Sequence, residues 1–372
     1  MTHANFRKIG EKMGQKSICI VGGGYIGVEL AKALEGVADV TLIEPKAAFV
    51  HAPAMLRALV DEQVRDKAII PYDKLMNKGR LVAQRATLIK PDAVVVEDGS
   101  EIAADYIVLC PGASNGGIFK PGHEDIDSFR AAQSSAQTQI ESAKSIVIVG
   151  AGAVGVELAG EIANAHPQKA LTLISADSAL FPTFPATLGA KLRSKLQALG
   201  VTVVLGSRVS DLVSTTAPYE GGVTLDNGER IDADLVIPAI GSKPQTALFD
   251  DLPDVVKTTD GRVKVDAYLR PSSLPNVFAA GDAVDAGDAM TIVAASRQQP
   301  WLAKMLKAVI NGKSAESVKA YAPWGKAPIL VPLGPARGNS YLVVGTFGDW
   351  ATKTMKGNDL FISKYRKILG YT

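Results

Sequence analysis

The sequence predicts an α/β fold in which one strand–turn–helix unit occurs twice, followed by a small α+β C-terminal segment. The first copy is IVGGGYIGVELAKAL at residues 20–34, and the second is IVGAGAVGVELAGEI at residues 148–162. In each copy an apolar run leads into glycines spaced G-x-G-x-x-G and then into helix-forming residues. This order is typical of a Rossmann-like dinucleotide-binding domain. Two such domains are therefore expected, which the length of 372 residues allows.

The first glycine turn contains Gly22, Gly24 and Gly27. The first glycine of such a turn permits the sharp bend, the second lets the backbone approach a pyrophosphate, and the third brings helix against strand. The next predicted strand, 40–43, is followed by Glu44, whose carboxylate is suited to accept hydrogen bonds from the hydroxyls of an adenosine ribose. We therefore predict that a dinucleotide binds at this turn.

The second turn repeats the spacing with Gly150, Gly152 and Gly155. The strand that follows it reaches Ser175 instead of an acid, and Asp177 comes two residues later. A ribose 2′-hydroxyl can be held by Ser175 or Asp177, whereas a 2′-phosphate would need a nearby cation. Two dinucleotides in one chain are most simply a tightly held FAD and an exchanging nicotinamide nucleotide. The sequence favours NADH for the second site and leaves NADPH open.

Three further strand ends carry glycine together with proline or aspartate. They are YIVLCPGAS at 106–114, LVIPAIGSKP at 235–244 and LPNVFAAGDAVD at 274–285. A glycine there admits close passage of a diphosphate, and an aspartate can take a ribityl hydroxyl, although an ordinary Asx turn is the alternative. The candidate cofactor-binding residues at these ends are Pro111, Gly112, Gly241, Gly281 and Asp282.

The first two of these strand ends also indicate where the chain crosses between domains. We expect an FAD-binding domain formed by residues 1–122 and 243–322, with an NAD(P)H-binding domain, 123–242, inserted into it. Residues 323–372 form the C-terminal segment.

Shorter patterns fill in each domain. Segments 81–97 and 201–225 alternate apolar and polar residues around Asp-Gly or Asn-Gly turns, which predicts a small antiparallel meander in each domain, with Val82 on the first. A helix is expected to begin near Thr291. Its N-terminus is suited to stabilise negative charge on a flavin, although an ordinary core helix explains the pattern equally well.

The C-terminal segment differs from the rest in composition. Strands 328–333 and 340–345 are predicted to form a hairpin, followed by an aromatic and basic end. Two interpretations stay open. In the first, this end is a contact surface, which either rests on an anionic membrane or lines a hydrophobic acceptor pocket. In the second, it is a solvated helix that caps the FAD domain. The residues concerned are Trp350, Phe361, Tyr365, Lys353, Lys356, Lys364, Arg366 and Lys367.

The overall composition narrows the class of protein. Apolar residues form 47% of the chain, and 40 Lys and Arg nearly balance 38 Asp and Glu, which argues against a nucleic-acid-binding surface. No apolar run is long enough to cross a bilayer, and the polar, basic start is unlike a secretory leader. Cys19 and Cys110 lie in apolar runs, so we expect buried thiols, no disulfide and no metal site. These features favour a cytoplasmic protein, with peripheral membrane contact left open.

Three motifs carry a family resemblance: FVHAPAMLRALV at 49–60, GVELAGEI at 155–162 and KGNDLFISK at 356–364. With the two glycine turns, they make the sequence similar to flavoprotein pyridine-nucleotide oxidoreductases of glutathione-reductase-like architecture. Within these it resembles the apoptosis-inducing-factor-like group that includes the ferroptosis-suppressor type of NAD(P)H:quinone oxidoreductase. The similarity extends over roughly residues 17–365. The chain lacks the Met-Gly start that supports lipid anchoring in some relatives.

The resemblance implies roles for further residues. It implies that Glu157, two residues after Gly155, lies in the first helical turn beside the nicotinamide, where it accepts a carboxamide hydrogen bond or relays a proton. It implies that Lys356 lies near the flavin and the acceptor, where an ammonium favours anionic flavin or protonates a quinone oxygen. The alternative for Glu157 is helix packing common to both copies, because Glu29 has the same place in the first copy. The alternative for Lys356 is an ordinary solvated lysine. The FAD contacts that the resemblance implies are Gly22, Gly23, Gly24, Tyr25, Ile26, Glu44, Lys46, Arg57, Val82 and Asp282.

The positions of the two cysteines exclude one class of flavoenzyme reaction, the reduction of disulfides. Disulfide reductases of this architecture need a pair such as C-x-x-C beside the flavin, and Cys19 and Cys110 lie in different predicted strands. The electrons must therefore leave for an outside acceptor. The first hypothesis is an FAD-dependent enzyme that takes hydride from NAD(P)H and reduces a quinone. The alternatives are a ferredoxin or rubredoxin reductase, and a poorly turning-over flavoprotein that senses NADH. The oligomeric state is not predicted.

Overall fold

A computed structural model of the protein describes residues 15–114, 117–122 and 125–372. The expectation for the polar start of the chain falls on residues 1–14, outside this description. The described residues confirm an α/β architecture with parallel sheets and two Rossmann-like units.

The elements are numbered here in chain order. The elements up to residue 112 are β1 (Ser17–Val21), α1 (Tyr25–Leu34), β2 (Asp39–Ile43), β3 (Ala48–Val50), α2 (Ala52–Met55), α3 (Glu62–Ala68), β4 (Ile69–Pro71), β5 (Arg80–Val82), β6 (Ala86–Ile89), β7 (Ala93–Val96), β8 (Glu101–Ala103) and β9 (Tyr106–Leu109). The elements up to residue 244 are β10 (Ala113–Ser114), α4 (Ile126–Ser142), β11 (Ser145–Val149), α5 (Ala153–Ala165), β12 (Ala170–Ser175), α6 (Ala186–Ala198), β13 (Val201–Leu205), β14 (Tyr219–Glu220), β15 (Val223–Thr224), β16 (Arg230–Ile231), β17 (Leu235–Pro238) and β18 (Lys243–Pro244). The remaining elements are β19 (Val263–Lys264), β20 (Val277–Ala279), β21 (Val284–Asp285), α7 (Ile292–Ile310), β22 (Ile329–Leu333), β23 (Arg337–Leu342), β24 (Gly345–Phe347), α8 (Asp349–Thr352) and α9 (Ile362–Ile368).

Among the residues that the structure describes, irregular helical turns occur at four places. Three are 3-10 turns, at Arg57–Leu59, Ala247–Phe249 and Ala315–Ser317. The fourth, Lys353–Gly357, is a π-helical turn that follows α8 directly. Short π-helical segments are rare and are often found at functional sites.

The chain divides into two compact units. The first unit comprises residues 15–45, 75–112 and 245–323. Its sheet has the order β20-β9-β1-β2-β5, and every neighbouring pair is parallel. An antiparallel meander, β6-β7-β8, belongs to the same unit. Its core contains the buried faces of β1, β9 and β20.

The second unit comprises residues 46–74, the described residues of 113–244, and 324–372. Its main sheet has the order β13-β12-β11-β17-β14, parallel except for β14. The C-terminal strands form an antiparallel sheet, β22-β23-β24, which packs against α5: a methyl group at Gly160 would lie 2.5 Å from the Cα of Leu333. The functional division into 1–122, 123–242, 243–322 and 323–372 stays a prediction.

Several local predictions are confirmed with shifts of a few residues. The strands and helices of both glycine turns are present, and α7 begins after Thr291, whose hydroxyl accepts a hydrogen bond from the Ala294 N–H at 3.2 Å. The C-terminal hairpin is also present, but β23 begins at Arg337 and a third strand, β24, follows.

The two predicted meanders are wrong at their starts. Val82 ends β5, which pairs in parallel with β2, and the meander begins only at Ala86. Residues 201–205 likewise form β13, a parallel strand beside β12. Alternation of apolar and polar residues occurs in any strand with one exposed face, so it does not distinguish an edge strand of a parallel sheet from a meander strand.

Candidate cofactor and catalytic sites

The first glycine turn connects β1 to α1, and each of its glycines has a distinct steric reason. Gly22 has a φ of 103°, and a methyl group there would lie 2.3 Å from the Cys110 carbonyl oxygen. A methyl group at Gly27 would lie 1.9 Å from the Gly22 carbonyl oxygen. A methyl group at Gly24, the N-cap of α1, would meet no heavy atom within 4 Å. Gly22 and Gly27 are thus required by the fold, whereas Gly24 leaves space in front of a helix N-terminus.

Glu44 lies one residue beyond β2 and is buried. Its carboxylate accepts a hydrogen bond from the Gly23 N–H at 2.7 Å, and its own N–H donates to the Val82 carbonyl oxygen at 3.0 Å. These contacts fix a carboxylate beside the glycine turn, where the hydroxyls of an adenosine ribose are expected. The Val82 carbonyl oxygen takes part in this arrangement, which was not expected from the sequence.

The other first-unit candidates lie at the same edge of this sheet. Because β1, β2, β9 and β20 are parallel, their carboxyl ends bring together the glycine turn, Glu44, Pro111–Gly112 and Gly281–Asp282. Gly281 has a φ of 91°, and its N–H donates to the Gln298 side-chain oxygen at 2.7 Å. Gln298 is buried on α7, and no sequence signal marks it as the partner of this turn.

The second glycine turn repeats this geometry between β11 and α5. Gly150 has a φ of 106°, and a methyl group there would lie 2.6 Å from the Ala239 carbonyl oxygen. A methyl group at Gly155 would lie 1.8 Å from the Gly150 carbonyl oxygen, whereas one at Gly152 would meet no heavy atom within 4 Å. Gly152, like Gly24, is the open N-cap of its helix.

The remaining second-unit candidates lie at the carboxyl ends of β12 and β17. Ser175 is buried, and its hydroxyl accepts a hydrogen bond from the Asp177 N–H at 3.2 Å, while Asp177 itself is exposed. Gly241 follows β17 with a φ of 39° and open space at its α-carbon. These residues share one edge of the parallel sheet with the glycine turn.

These two edges fit the dinucleotides predicted from the sequence. Each offers an open glycine at a helix N-terminus, where backbone N–H groups and the helix dipole favour a pyrophosphate. Residues of the first edge would hold FAD, with Glu44 toward the adenosine ribose. Residues of the second edge would hold the nicotinamide nucleotide, with Ser175 and Asp177 toward its ribose.

Glu157, which is buried, and Lys356, which is partly buried, form an ion pair in the second unit. The Lys356 Nζ lies 2.7 and 2.8 Å from the two carboxylate oxygens of Glu157 and 3.2 Å from the Leu330 carbonyl oxygen. Burial raises the pKa of the Glu157 carboxyl above its usual range, although the Lys356 ammonium acts in the opposite direction. Glu157 is the fifth residue of α5, so it lies in the second helical turn and not in the first, because the helix begins directly after Gly152.

Arg57 and Glu161 form a second buried ion pair one turn further along α5. The Arg57 guanidinium donates to both carboxylate oxygens of Glu161, at 3.0 and 2.8 Å, and to the Gly357 carbonyl oxygen at 2.8 Å. All three guanidinium nitrogens therefore have partners within the second unit. The FAD contact implied for Arg57 stays a prediction, and so does that for Lys46, which also belongs to the second unit. The spacing of Glu161 four residues after Glu157 could have indicated a shared helix face.

His51 is a further buried polar residue, and the motif at 49–60 that contains it did not predict a role for it. Its Nε2–H donates to the Leu360 carbonyl oxygen, and its ring lies 5.0 Å from that of Tyr365 and 6.3 Å from that of Phe49. Burial lowers the pKa of His51 to about 4. The imidazole is therefore neutral at physiological pH.

The depressed pKa of His51 predicts a loss of stability in acid. In the unfolded chain the imidazole titrates near its ordinary pKa of 6.5, so below that pH the unfolded state binds a proton that the folded state excludes. The contribution is complete above pH 6.5 and is lost as the pH falls toward 4. We expect the wild type to lose about 2 to 3 kcal/mol more than His51→Gln between about pH 7 and about pH 4.5. Denaturant unfolding at both pH values measures this, and equal losses in the two proteins would contradict it.

The C-terminal aromatic and basic residues do not form one exposed stripe. Tyr365 is buried, and Lys356 is engaged by Glu157, so neither faces solvent as the membrane interpretation assumed. Trp350, in contrast, is 81% exposed. No helix among residues 15–114, 117–122 and 125–372 has the length and apolar character needed to span a bilayer.

Both cysteines are buried, as expected from the sequence. Cys19 lies within β1 and Cys110 directly follows β9. Burial raises the pKa of each thiol to about 12, so neither is a thiolate at neutral pH. No group of three or more potential metal-ligating side chains occurs in the part of the chain that the structure describes.

Two open glycine turns, each at the carboxyl edge of its own parallel sheet, define an FAD-dependent oxidoreductase that uses NADH or NADPH. The chain belongs to the pyridine nucleotide-disulphide oxidoreductase family, whose models match residues 17–71 and 71–299.

Relatives match over almost the whole chain. Apoptosis-inducing factor homolog B of Dictyostelium discoideum is 31% identical over 94% of this chain and 96% of its own length. Ferroptosis suppressor protein 1 of Xenopus laevis is 29% identical over 95% of this chain and 96% of its own length. The structure of NDH2 from Plasmodium falciparum in complex with NADH has a similar fold, with a TM-score of 0.71 and 16% identity over 95% of each chain.

Proposed function

We propose that the enzyme takes a hydride from NADH or NADPH and delivers the electrons to a quinone. The observation that supports this most strongly is the Glu157–Lys356 ion pair, which joins helix α5 to the C-terminal segment. It places an ammonium group, which can donate a proton, beside a carboxylate with a raised pKa, which can accept a proton and pass it on. Reduction of a quinone to a quinol consumes two protons as well as two electrons.

FAD supplies the hydride acceptor and passes electrons on singly or in pairs. The chain's own contribution is to bind, to orient and to move protons. The turn at Gly22–Gly27 and Glu44 would hold the diphosphate and ribose of FAD, and the turn at Gly150–Gly155 would hold the diphosphate of the nicotinamide nucleotide. Glu157 orients the nicotinamide carboxamide or relays a proton, and Lys356 donates a proton to a quinone oxygen.

The cysteines support an acceptor outside the protein. Cys19 and Cys110 are buried with strongly raised pKa values, so neither offers a thiolate that could pass electrons to a disulfide substrate. The family takes its name from disulfide chemistry, but the residues for that chemistry are absent from the sequence, which has two cysteines in total.

The test is anaerobic reduction by NADH followed by a panel of acceptors in stopped flow. We expect reoxidation by a short-chain ubiquinone analogue to be at least ten times faster than by ferredoxin, each at saturation. Preferential reoxidation by ferredoxin would favour the redox-protein alternative, and negligible reoxidation by every acceptor would favour an NADH-sensing role. The same instrument compares NADH with NADPH, and we expect NADH to react faster because a carboxylate at Asp177 would repel a 2′-phosphate.

A surface of the second unit supports contact with a membrane, in which many quinones are dissolved. Exposed apolar side chains follow one another along residues 343–355, and we call this set the C-terminal apolar surface. Its members are Val343, Val344, Phe347, Trp350 and Met355. Several exposed large apolar side chains within one short segment favour an interaction site, and exposed basic residues such as Lys353 would favour anionic lipid.

We expect Trp350→Glu to reduce binding to vesicles that contain anionic lipid by about tenfold, because a carboxylate replaces an apolar group at the proposed lipid contact. Co-sedimentation with vesicles measures binding. The matched control is Val213→Glu, since Val213 is 78% exposed elsewhere in the second unit. Equal binding by wild type and Trp350→Glu, or equal loss in the control, would contradict the membrane contact.

A further inference from the structure

The C-terminal turn, residues 353–361, has an unusual backbone. It starts with the π-helical turn Lys353–Gly357 and ends with Leu360 and Phe361, whose φ angles are 51° and 65°. Two successive non-glycine residues in the left-handed region are rare, because the side chain of each crowds the backbone in that conformation. Such a conformation persists only where surrounding contacts hold it. Lys356 lies within this turn.

Two side chains from one short segment hold two carbonyl groups of this turn. Arg57 donates to the Gly357 carbonyl oxygen at 2.8 Å, and His51 donates to the Leu360 carbonyl oxygen. Both side chains are buried, and they stand six positions apart, on either side of α2. Arg57 is itself fixed by its two hydrogen bonds to Glu161.

The two carbonyl groups that accept these hydrogen bonds belong to Gly357 and Leu360, which follow Lys356 closely in the chain. The Lys356 carbonyl oxygen also accepts a hydrogen bond from the Leu360 N–H at 2.7 Å, which links its backbone to the strained end of the turn. A lysine side chain has four flexible carbons, so the place of its ammonium depends on where the backbone is fixed. Displacement of the turn would therefore carry the Lys356 ammonium away from Glu157.

We propose that Arg57 and His51 are positioning residues that hold the C-terminal turn and thereby keep the Lys356 ammonium on the Glu157 carboxylate. The inference rests on the proposed function for its catalytic consequence, but the positioning itself is a property of this chain. Neither residue donates a proton to the acceptor. Each acts through Lys356.

The surroundings of His51 fit a holding role. The ring is enclosed by Phe49 and Tyr365, and the charged groups near it are Lys356, Asp359 and Lys364. The two ammonium groups oppose a positive charge on the ring and outnumber the one carboxylate. A neutral imidazole can donate through Nε2 without bringing a charge into this enclosure.

The test measures the chemical reactivity of Lys356 in the FAD-loaded protein. An acetylating reagent is added in limiting amount, and labelling of each lysine is followed by peptide mass spectrometry. The variants are Arg57→Lys and His51→Phe. Arg57→Lys keeps the positive charge but loses the planar guanidinium that donates to Glu161 and Gly357 together. His51→Phe keeps the aromatic ring but loses the hydrogen-bond donor to Leu360. We expect labelling of Lys356 to become about tenfold faster in each variant, because the turn opens more often.

Three controls accompany this experiment. Lys353, exposed in the same turn, and Lys195, paired with Asp349 elsewhere in the second unit, should react at wild-type rates. His51→Gln, whose amide can still donate to the Leu360 carbonyl oxygen, should restore slow labelling of Lys356. Wild-type labelling of Lys356 in both His51→Phe and Arg57→Lys, with the flavin content intact, would overturn the proposal.

A kinetic cycle separates positioning from a merely structural role. Arg57→Lys should slow reoxidation by the quinone analogue, and adding it to Lys356→Met should slow the reaction no further, because both changes remove the same interaction. Fully additive effects would overturn the proposal. Failure of the wild type to reduce any quinone would instead refute the proposed function, and the labelling result would still decide whether Arg57 and His51 position Lys356.

Discussion

Replacing Glu157 by glutamine is expected to slow reduction of the bound flavin by NADH about 100-fold while the flavin stays bound. Glutamine keeps the size and one acceptor oxygen of glutamate, but it lacks the negative charge that holds Lys356 and cannot accept a proton and pass it on. Glutamine is preferred to alanine because it fills the same volume and can still accept a hydrogen bond from the Lys356 ammonium, whereas alanine would also leave a cavity beside that ammonium. Anaerobic stopped-flow measurement of flavin absorbance gives the rate.

The matched control is Glu29→Gln, because Glu29 follows the third glycine of the first turn by the same two residues. We expect that variant to react within about twofold of the wild-type rate. An unchanged rate in Glu157→Gln would contradict the proposed role of the carboxylate. Loss of flavin from Glu157→Gln would assign the residue to folding instead.

Adding one methyl group at each open glycine is expected to impair two different ligands. Gly24→Ala should yield folded protein with little bound FAD, and Gly152→Ala should keep FAD but raise the KM for NADH by about tenfold or more. Both glycines have backbone angles that alanine tolerates and meet no heavy atom within 4 Å, so the fold itself does not oppose the substitution. The methyl group instead occupies the space through which the pyrophosphate approaches the helix N-terminus. Flavin content and steady-state kinetics measure the two effects.

The third glycine of each turn provides the contrasting control. Gly27→Ala and Gly155→Ala would place a methyl group 1.9 and 1.8 Å from a backbone carbonyl oxygen, so we expect both to be recovered poorly or unfolded. In the absence of ligand, Gly24→Ala and Gly152→Ala should unfold at a denaturant concentration at least as high as that for the wild type, because alanine reduces the conformational freedom of the unfolded chain. Equal FAD loss in Gly24→Ala and Gly152→Ala would refute the assignment of separate ligands to the two turns.

The sequence predicted the glycine turns at the carboxyl edges of both parallel sheets because the signals for these turns are local. A glycine turn after an apolar run specifies strand, bend and helix within about fifteen residues, and Glu44 follows at the end of the next strand. Parallel pairing then brings Pro111–Gly112 and Gly281–Asp282 to the same edge as Glu44. The places where local prediction failed, Val82 and residues 201–205, are short strands at sheet edges, whose partners alternation alone does not identify.

The sequence by itself determined the two glycine turns, the absence of a redox cysteine pair and the family to which the chain belongs. Each follows from residue identity and short spacing, which fix backbone geometry and available chemistry. Only the tertiary structure decided that Arg57 pairs with Glu161, that His51 holds Leu360 and that Lys356 meets Glu157. Those partners are separated by about one hundred to three hundred residues, and a buried charge or donor is satisfied by whichever group the packing brings near, so no local pattern encodes the choice.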